Sequence, residues 1–572
     1  MSASNKKKLR KELAAAAMTE KQKKEQHEAK KLKAYTLLFA VVMVLVVAIV
    51  VGVVAAPFVD GIVLRNSHTV TIGDYELSAT DLTYFYIDAI SDHQSTVYQQ
   101  YYQTFGDYWT MMLGYDSSKP LNEQTYSSES GKTWADHFMD TAIDNAKSTY
   151  ALYIDAQAKG YQLPTDQQTS MDSYFDNLSL YANYYGYSNV KSYLRNSYGN
   201  GANEKTYKNY YTICTIASAY LNDYADTLEF EAEDYRAYEK EKFDDYSQFS
   251  YVNYTIKYDP YLGTAEKDEN GKDIPWTDAQ KEAARKALED DVAKIMAGEV
   301  KDKESFDKAI QSLTINQTDE DGKPLEDSEK PTATEAKDKF LADIYLHADA
   351  VDWIKVTDRK AGDFEKFAIR TYEDHDDPEH EHGDCDCDYT VDGYTIVLFV
   401  ERQDNKMPLA NVRHILVKFQ GGTKDSSGNT TYSDAEKATA KAEAEALLKK
   451  WQDNQANEEY FGELANAESD DQNGNVTNGG LYEDILPGQM VENFNDWCFD
   501  ESRKAGDTGI VETEYGYHVM YYSSADEMTY RDYMIDSDLR KEATEKWKED
   551  LTNNVPYTLV SLDKMEFDLV LG

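Results

Sequence analysis

The stretch "HDDPEHEHGDCDCD" gathers three imidazoles and two thiols, His375, His380, His382, Cys385 and Cys387. These are ligand types for zinc or another transition metal. Cys-x-Cys with scattered histidines is not a recognised finger spacing, so an acidic, solvated hairpin tip is the alternative, with or without a Cys385–Cys387 bond. A second set is dispersed: His414 in "RHILV", Asp471 in "SDDQNGN" and His518 in "GYHVM". Two imidazoles and a carboxylate can form a hydrogen-bonded network of tunable protonation. Met490 and Phe494, four apart, are the types that make an adaptable apolar socket. Each residue also has a plainer role: a satisfied strand histidine, a solvated or capping loop aspartate, ordinary helix core.

The elements that must hold these residues announce themselves by repetition. "DWIKVTDRKAGD" starts at Asp352 and "DWCFDESRKAGD" at Asp496, with the same Trp-to-Arg spacing. Ahead of the first phrase stand the strand-like "FSYVNYTIKYD" and the charged helix "TDAQKEAARKALEDDVAKIMAG"; the strand-like "YTIVLFVER" follows it. Near residue 410 the order begins again, with "NVRHILVKF", "SDAEKATAKAEAEALLKKW", "EEYFGELAN", the second phrase and "GYHVMYY". Such recurrence marks two domains of one fold in tandem. Gly362 and Gly506 are expected in turns at positive φ, and Trp353 and Trp497 in the core. From the last Asp of the phrase to the following Gly-Tyr the second copy runs from 507 to 516. The first runs from 363 to 393, and the extra residues contain the Cys/His loop.

Before the repeats, residues 68–245 read as a mainly helical domain. It opens with a strand and a turn at Gly73-Asp74, then Ser78 as an N-cap. Helical patterns cover about 134–159, 166–184 and 204–224. After the repeats, about 529–553 is a charged helix, too polar all round to stand alone, that is expected to dock on an earlier domain.

Charge sets the broad class. The chain has 572 residues and a formal net charge of −46. Residues 1–33 carry 11 Lys/Arg against 4 Asp/Glu, and 34–59 carry no charge, so the body holds the whole acidic excess. That argues against nucleic acid, whose phosphates need Lys and Arg. "AYTLLFAVVMVLVVAIVVGVVAAPFV" is long enough to span a bilayer as a helix, and the basic side stays in the cytoplasm. A cleaved signal peptide is the competitor, but the polar lead is long and the apolar run exceeds a normal hydrophobic region. Four cysteines do not make a disulfide scaffold. The 46 tyrosines suit amphipathic surfaces that grip other chains.

The second copy resembles a known family. "RHILVK", "FGELANAESDD", "NGG", "PGQMVENF", "RKAGDTGIV" and "EYGYHVM" occur in the order and spacing of a parvulin-type (PpiC-like) peptidyl-prolyl cis-trans isomerase, over about 411–524. The helical segments on either side more weakly resemble those of the PrsA/SurA-like foldases. With the charge and hydropathy pattern, the resemblance implies an α+β chain: a basic cytoplasmic tail (1–33), a transmembrane signal anchor (34–59) and a helical chaperone-like domain (68–245). A degenerate parvulin-like domain (246–405), a parvulin-type isomerase domain (406–525) and a C-terminal helix docking on the chaperone domain (526–572) complete it. It assigns His414, Asp471 and His518 to catalysis, Met490 and Phe494 to the proline pocket, and requires no cofactor. Partners would be unfolded exported polypeptides with X-Pro bonds and the membrane through the anchor; a homodimer is left open. The setting is a single-pass protein of the cell membrane, its body extracytoplasmic, in a bacterium. The competing function is a non-catalytic chaperone or scaffold. It has one motif in its favour: Gly479-Gly480 is followed by "LYEDILP" rather than Asp-Leu-Gly and an aromatic pair. No Lys/Arg cluster points to a phosphate preference. Aligning Lys257 with Lys418 and "GYTIV" with "GYHVM" puts Asn253 and Thr395 where the second copy has His414 and His518, so the first copy is expected to have lost the reaction.

Overall fold

The computed structural model describes residues 61–565 and 567, apart from 129, 318–322, 327, 373–388, 425–427, 429 and 472–477. The tail, the apolar run at 34–59 and the loop with His375, His380, His382, Cys385 and Cys387 lie outside the described residues. Among the described residues no helix is long and apolar enough to cross a membrane. No cluster of three or more His, Cys, Asp or Glu side chains is placed among them to hold a metal ion. The architecture is mixed α+β, in two compact units: Met1–Leu228 with Arg540–Gly572, and Glu229–Leu539.

In the first unit, β1 (Val70–Ile72) and β2 (Tyr75–Leu77) form a hairpin around Gly73, and Tyr557–Leu559 pairs with the other edge of β1. Helix α1 (Ala79–Phe105) starts where a capping box satisfies its first N–H groups: Ser78 Oγ accepts from Asp81 N–H and the Asp81 carboxylate accepts from Ser78 N–H. Thr133 and Asp136 open α2 (Trp134–Ala158) in the same way, and α3 (Thr165–Tyr184) and α4 (Glu204–Asp226) follow. In this unit tyrosines also build the core. Tyr84, Tyr86, Tyr150, Tyr207 and Tyr210 are buried. Tyr84 stacks on Tyr210 at 4.8 Å, and the Tyr210 hydroxyl donates to Asp88. A phenol can fill a core because its ring is apolar and its hydroxyl needs only one polar partner. The exposed tyrosines include Tyr108, Tyr184 and Tyr185. Trp547 and Leu551, on the C-terminal part of helix Tyr530–Asn554, pack against Leu152, Ala156 and Tyr220.

The second unit holds two four-stranded antiparallel sheets with the same strand order. In the first, β3 (Gln248–Lys257) and β6 (Tyr389–Gln403) are central, flanked by β4 (Thr334–Lys339) and β5 (Phe364–Tyr372). In the second, β7 (Pro408–Lys418) and β10 (Gly516–Thr529) are central, flanked by β8 (Leu481–Ile485) and β9 (Thr508–Glu512). Their registers coincide: Lys257 faces Gly393 and Thr255 faces Thr395, as Lys418 faces Gly516 and Leu416 faces His518. The equivalence of Thr395 with His518, and of Asn253 with His414, is therefore one of three-dimensional position. Helix α5 (Asp278–Ala297) covers the first sheet from a Thr277–Gln280 capping box, and α6 (Ala348–Ile354) packs Ala350 and Ile354 against Phe249 and Val397. Helix α7 (Asp434–Asp453) covers the second from a Ser433–Glu436 box.

The repeated phrase is one structural device used twice. Gly362 and Gly506 both have φ +91°. Their N–H groups donate to Phe399 O and Tyr522 O, whose own N–H groups donate to Asp363 O and Asp507 O. Arg359 and Arg503 lie 3.8 Å and 4.1 Å over Trp353 and Trp497, and each donates from Nε to that tryptophan's carbonyl. The tryptophans are thus half-buried at the core edge, not inside it as the sequence suggested. An arginine covers the outer ring face, so burial is not needed to shield it.

Gly516 shows how tight the frame is. A Cβ there would stand 2.1 Å from the Val417 carbonyl oxygen, and one at Gly393 would stand 2.4 Å from that of Ile256. Gly516→Ala is expected to cost about 1–3 kcal/mol through forced strand separation, measured by denaturant unfolding. An unchanged midpoint would refute it.

Candidate active site

The site lies where β7, β8 and β10 meet the loop after α8 (Glu458–Glu468) and the start of α9 (Glu492–Cys498). β7 presents His414 and β10 presents His518 on neighbouring central strands, and both are buried, 4% and 6% exposed. The structure brings together all five residues that the sequence singled out in this domain. His414 Nδ1 is 3.0 Å from His518 Nδ1, and His414 Nε2 is 3.1 Å from Asp471 Oδ2. The Phe494 ring stands edge-on to both imidazoles, at 5.5 Å and 5.3 Å. Met490 joins Phe494 in lining a cavity of about 490 Å³ floored by the two histidines. It precedes α9 rather than sharing a helical turn with Phe494.

Two residues complete the network that sequence reasoning missed. Tyr482 donates its hydroxyl to Asp471 Oδ2 at 2.8 Å. Thr513 Oγ1 lies 2.9 Å from His518 Nε2 and accepts from Tyr515 N–H. Both sit at fixed short distances from legible landmarks, two residues after Gly480 and five before His518. Only long-range pairing brings their hydroxyls to the site. The unusual "LYEDILP" wall is a strand: Leu481 and Tyr482 pair with Arg413 and Val412 before a bulge in which Asp484 takes φ +52°.

Hydrogen-bond logic orders the protons. A carboxylate only accepts, so His414 donates from Nε2 to Asp471 and its Nδ1 is the bare nitrogen. His518 then donates from Nδ1 to His414, and its Nε2 accepts from the Thr513 hydroxyl. Burial, reinforced by neighbouring His414 and partly offset by Asp471, lowers the His518 pKa to about 3. At neutral pH His518 is therefore uncharged, and the floor of the cavity is a hydrogen-bonded imidazole pair tied to the Asp471 side chain.

The one hydroxyl set against an imidazole among these residues, Thr513, is buried and does not line the cavity, and a reaction that breaks no bond needs no nucleophile. The site offers an apolar socket, a floor of two buried imidazoles and a carboxyl group hydrogen-bonded to one of them. The equivalent place in the first domain differs. Thr395 meets the Thr255 hydroxyl at 3.2 Å, and the Asn253 amide reaches the Thr334 carbonyl at 3.5 Å.

Comparison with known proteins agrees on this region. Residues 394–523 match the family model described as "PPIC-type PPIASE domain". No curated protein matches the chain. Among solved structures, a peptidylprolyl isomerase, PrsA, from Bacillus anthracis is similar at 21% identity and a TM-score of 0.17, over 26% of this chain and 59% of that one. PrsA from Bacillus subtilis is similar at 20% and 0.17, over 28% and 54%. A Campylobacter jejuni structure described as SurA-like is similar at 21% and 0.15, over 28% and 57%. The chain thus spans between half and two thirds of the length of these structures. The family match and the site geometry fall on the same residues: the segment 394–523 is a PPIC-type peptidyl-prolyl isomerase domain.

Proposed function

We propose that the protein is a membrane-anchored extracytoplasmic foldase that isomerises X-Pro peptide bonds in exported chains, and that its helical first unit holds unfolded clients. The observation that carries this is the closed chain Thr513–His518–His414–Asp471–Tyr482 beneath the Met490/Phe494 socket. The basic tail and the uncharged 34–59 run support the anchored setting.

Rotation about a peptide bond faces a barrier of about 18–20 kcal/mol because amide resonance must be broken. Resonance places negative charge on the carbonyl oxygen, and twisting returns it to nitrogen. The Met490/Phe494 socket would hold the proline ring, while the buried imidazoles strip water from the amide. Asp471 would then disfavour the planar, charge-separated amide more than the twisted one. That difference between ground and transition state is what accelerates the reaction. His414, Asp471 and His518 act in this scheme as an electrostatic floor; no proton needs to reach the substrate. The first parvulin-like domain, with Asn253 and Thr395 in these positions, serves as a spacer or binding surface.

The test is exchange NMR on a proline-containing peptide with the full chain. Catalysed exchange is expected, and His414→Ala and Asp471→Ala should each reduce it at least about tenfold, the loss of one charge-assisted hydrogen bond. Uncatalysed rates with the unmutated chain would leave only the binding role. Suppression of client aggregation tests the holding role separately.

A further inference from the structure

We infer that Tyr482 is a positioning residue of this site: its hydroxyl keeps the Asp471 carboxylate in the charged form facing His414, and so fixes the direction of the whole proton chain. The inference rests on the reading of the site given above. It concerns a residue of the wall where this chain departs from the motif it otherwise follows.

Asp471 Oδ2 takes two donors, Tyr482 O–H at 2.8 Å and His414 Nε2 at 3.1 Å. Donors to a carboxylate favour its ionised form. The tyrosine ring also lies 4.9 Å from the His414 ring and lines the cavity, so one side chain shapes the pocket and holds the charge. The titratable groups around Asp471 are His414 and Lys418 from β7, His518 from β10, Tyr482 from β8 and Tyr515 beside the cavity. Adjacent Asp470 receives the Lys418 backbone N–H. No charged side chain of α9 lines the cavity.

The geometry accommodates the opposite polarity as well. A protonated Asp471 would donate to His414 Nε2 and move the His414 proton to Nδ1. His518 would then carry its proton on Nε2, toward Thr513. The Thr513 hydroxyl would turn to the Gly516 carbonyl, 3.4 Å away. One added proton at Asp471 thus reverses the three bonds from Asp471 to Thr513 while breaking none, and Tyr482 continues to donate to Asp471. With two donors on its oxygen Asp471 resists that proton; with one it does so less.

The test uses the full chain, Tyr482→Phe and Tyr482→Leu, each with 15N-labelled histidine rings, in a pH titration read by NMR. In the unmutated chain His414 should be protonated on Nε2 and His518 on Nδ1. The pH at which this pattern reverses should rise by about one unit in Tyr482→Phe, the worth of one hydrogen bond to a charged group. The acidic limb of kcat/KM for a proline peptide should move by the same amount with KM unchanged, because the ring remains. Tyr482→Leu should show the same shift together with a raised KM. A reversal point and acidic limb that do not move in Tyr482→Phe overturn the assignment. If the unmutated chain shows no exchange, the isomerase reading fails, while the ring titration still decides the role of Tyr482.

Discussion

Arg531→Ala should weaken the unit Glu229–Leu539 by about 3–5 kcal/mol, the cost of leaving a buried ionic group's partners unanswered. Arg531 is 1% exposed. Its guanidinium donates to the carbonyls of Asp404 (2.9 Å) and Phe243 (2.5 Å), and Nε lies 2.8 Å from a Glu239 carboxylate oxygen. It also stacks 4.2 Å from the Phe243 ring, which Arg402 approaches at 4.9 Å from its own position. Arg402 in turn meets Asp404 at 2.8 Å and Asp244 at 3.0 Å. These contacts join three distant stretches: the segment before β3, the link between β6 and β7, and the start of helix Tyr530–Asn554. Arg531→Lys should be nearly as harmful, because an ammonium cannot span several carbonyls with a planar fork. Hydrogen exchange across 229–539 reads the loss without requiring the whole chain to unfold at once. A change below about 1 kcal/mol, the scale of an exposed ion pair, would mean that the contacts contribute no more than surface ones.

The second large effect is acid sensitivity originating at His518. Its folded pKa is depressed to about 3 by burial and then by His414, whereas an unfolded histidine titrates near 6.5. Between these values the unfolded chain binds a proton that the native site refuses. Stability contributed here is therefore full above about pH 6.5 and falls as pH falls, by about 1.4 kcal/mol per pH unit. Carboxylates elsewhere add their own slopes, so the comparison is with His518→Gln. Between pH 6.5 and 5 the unmutated chain should lose about one proton's worth more stability per pH unit than the variant. Equal slopes would show that His518 takes up its proton in the native state.

Much of this architecture can be read directly from the chain. Capping boxes such as Ser433–Glu436 and alternating strands such as Pro408–Lys418 are local, and local signals survive in sequence. The histidines and Asp471 were recoverable because six motifs keep their spacing. Tyr482, Thr513 and Arg531 were not, for a common reason. Each acts through a polar atom whose partner lies on another element, and the residue type does not say which partner that is. Arg531 was hidden further by its surroundings, since a charged helix reads as solvated unless something long and flexible threads a guanidinium inward. The tyrosines misled by being amphipathic: composition counts them, but only packing says whether the ring or the hydroxyl faces water.

The coincident register of the two sheets separates what builds the frame from what lines the site. Frame and function occupy separate positions: the glycines, the Arg-on-Trp stack and the strand pairings recur, while His414 and His518 have no counterparts at Asn253 and Thr395. The residues that set the frame are thus separate from those that line the site, and either set can change without the other. The chain carries its own internal control: another sheet of the same order and register, at matched temperature, solvent and expression level, in which each residue changed toward the second copy can be asked what it adds.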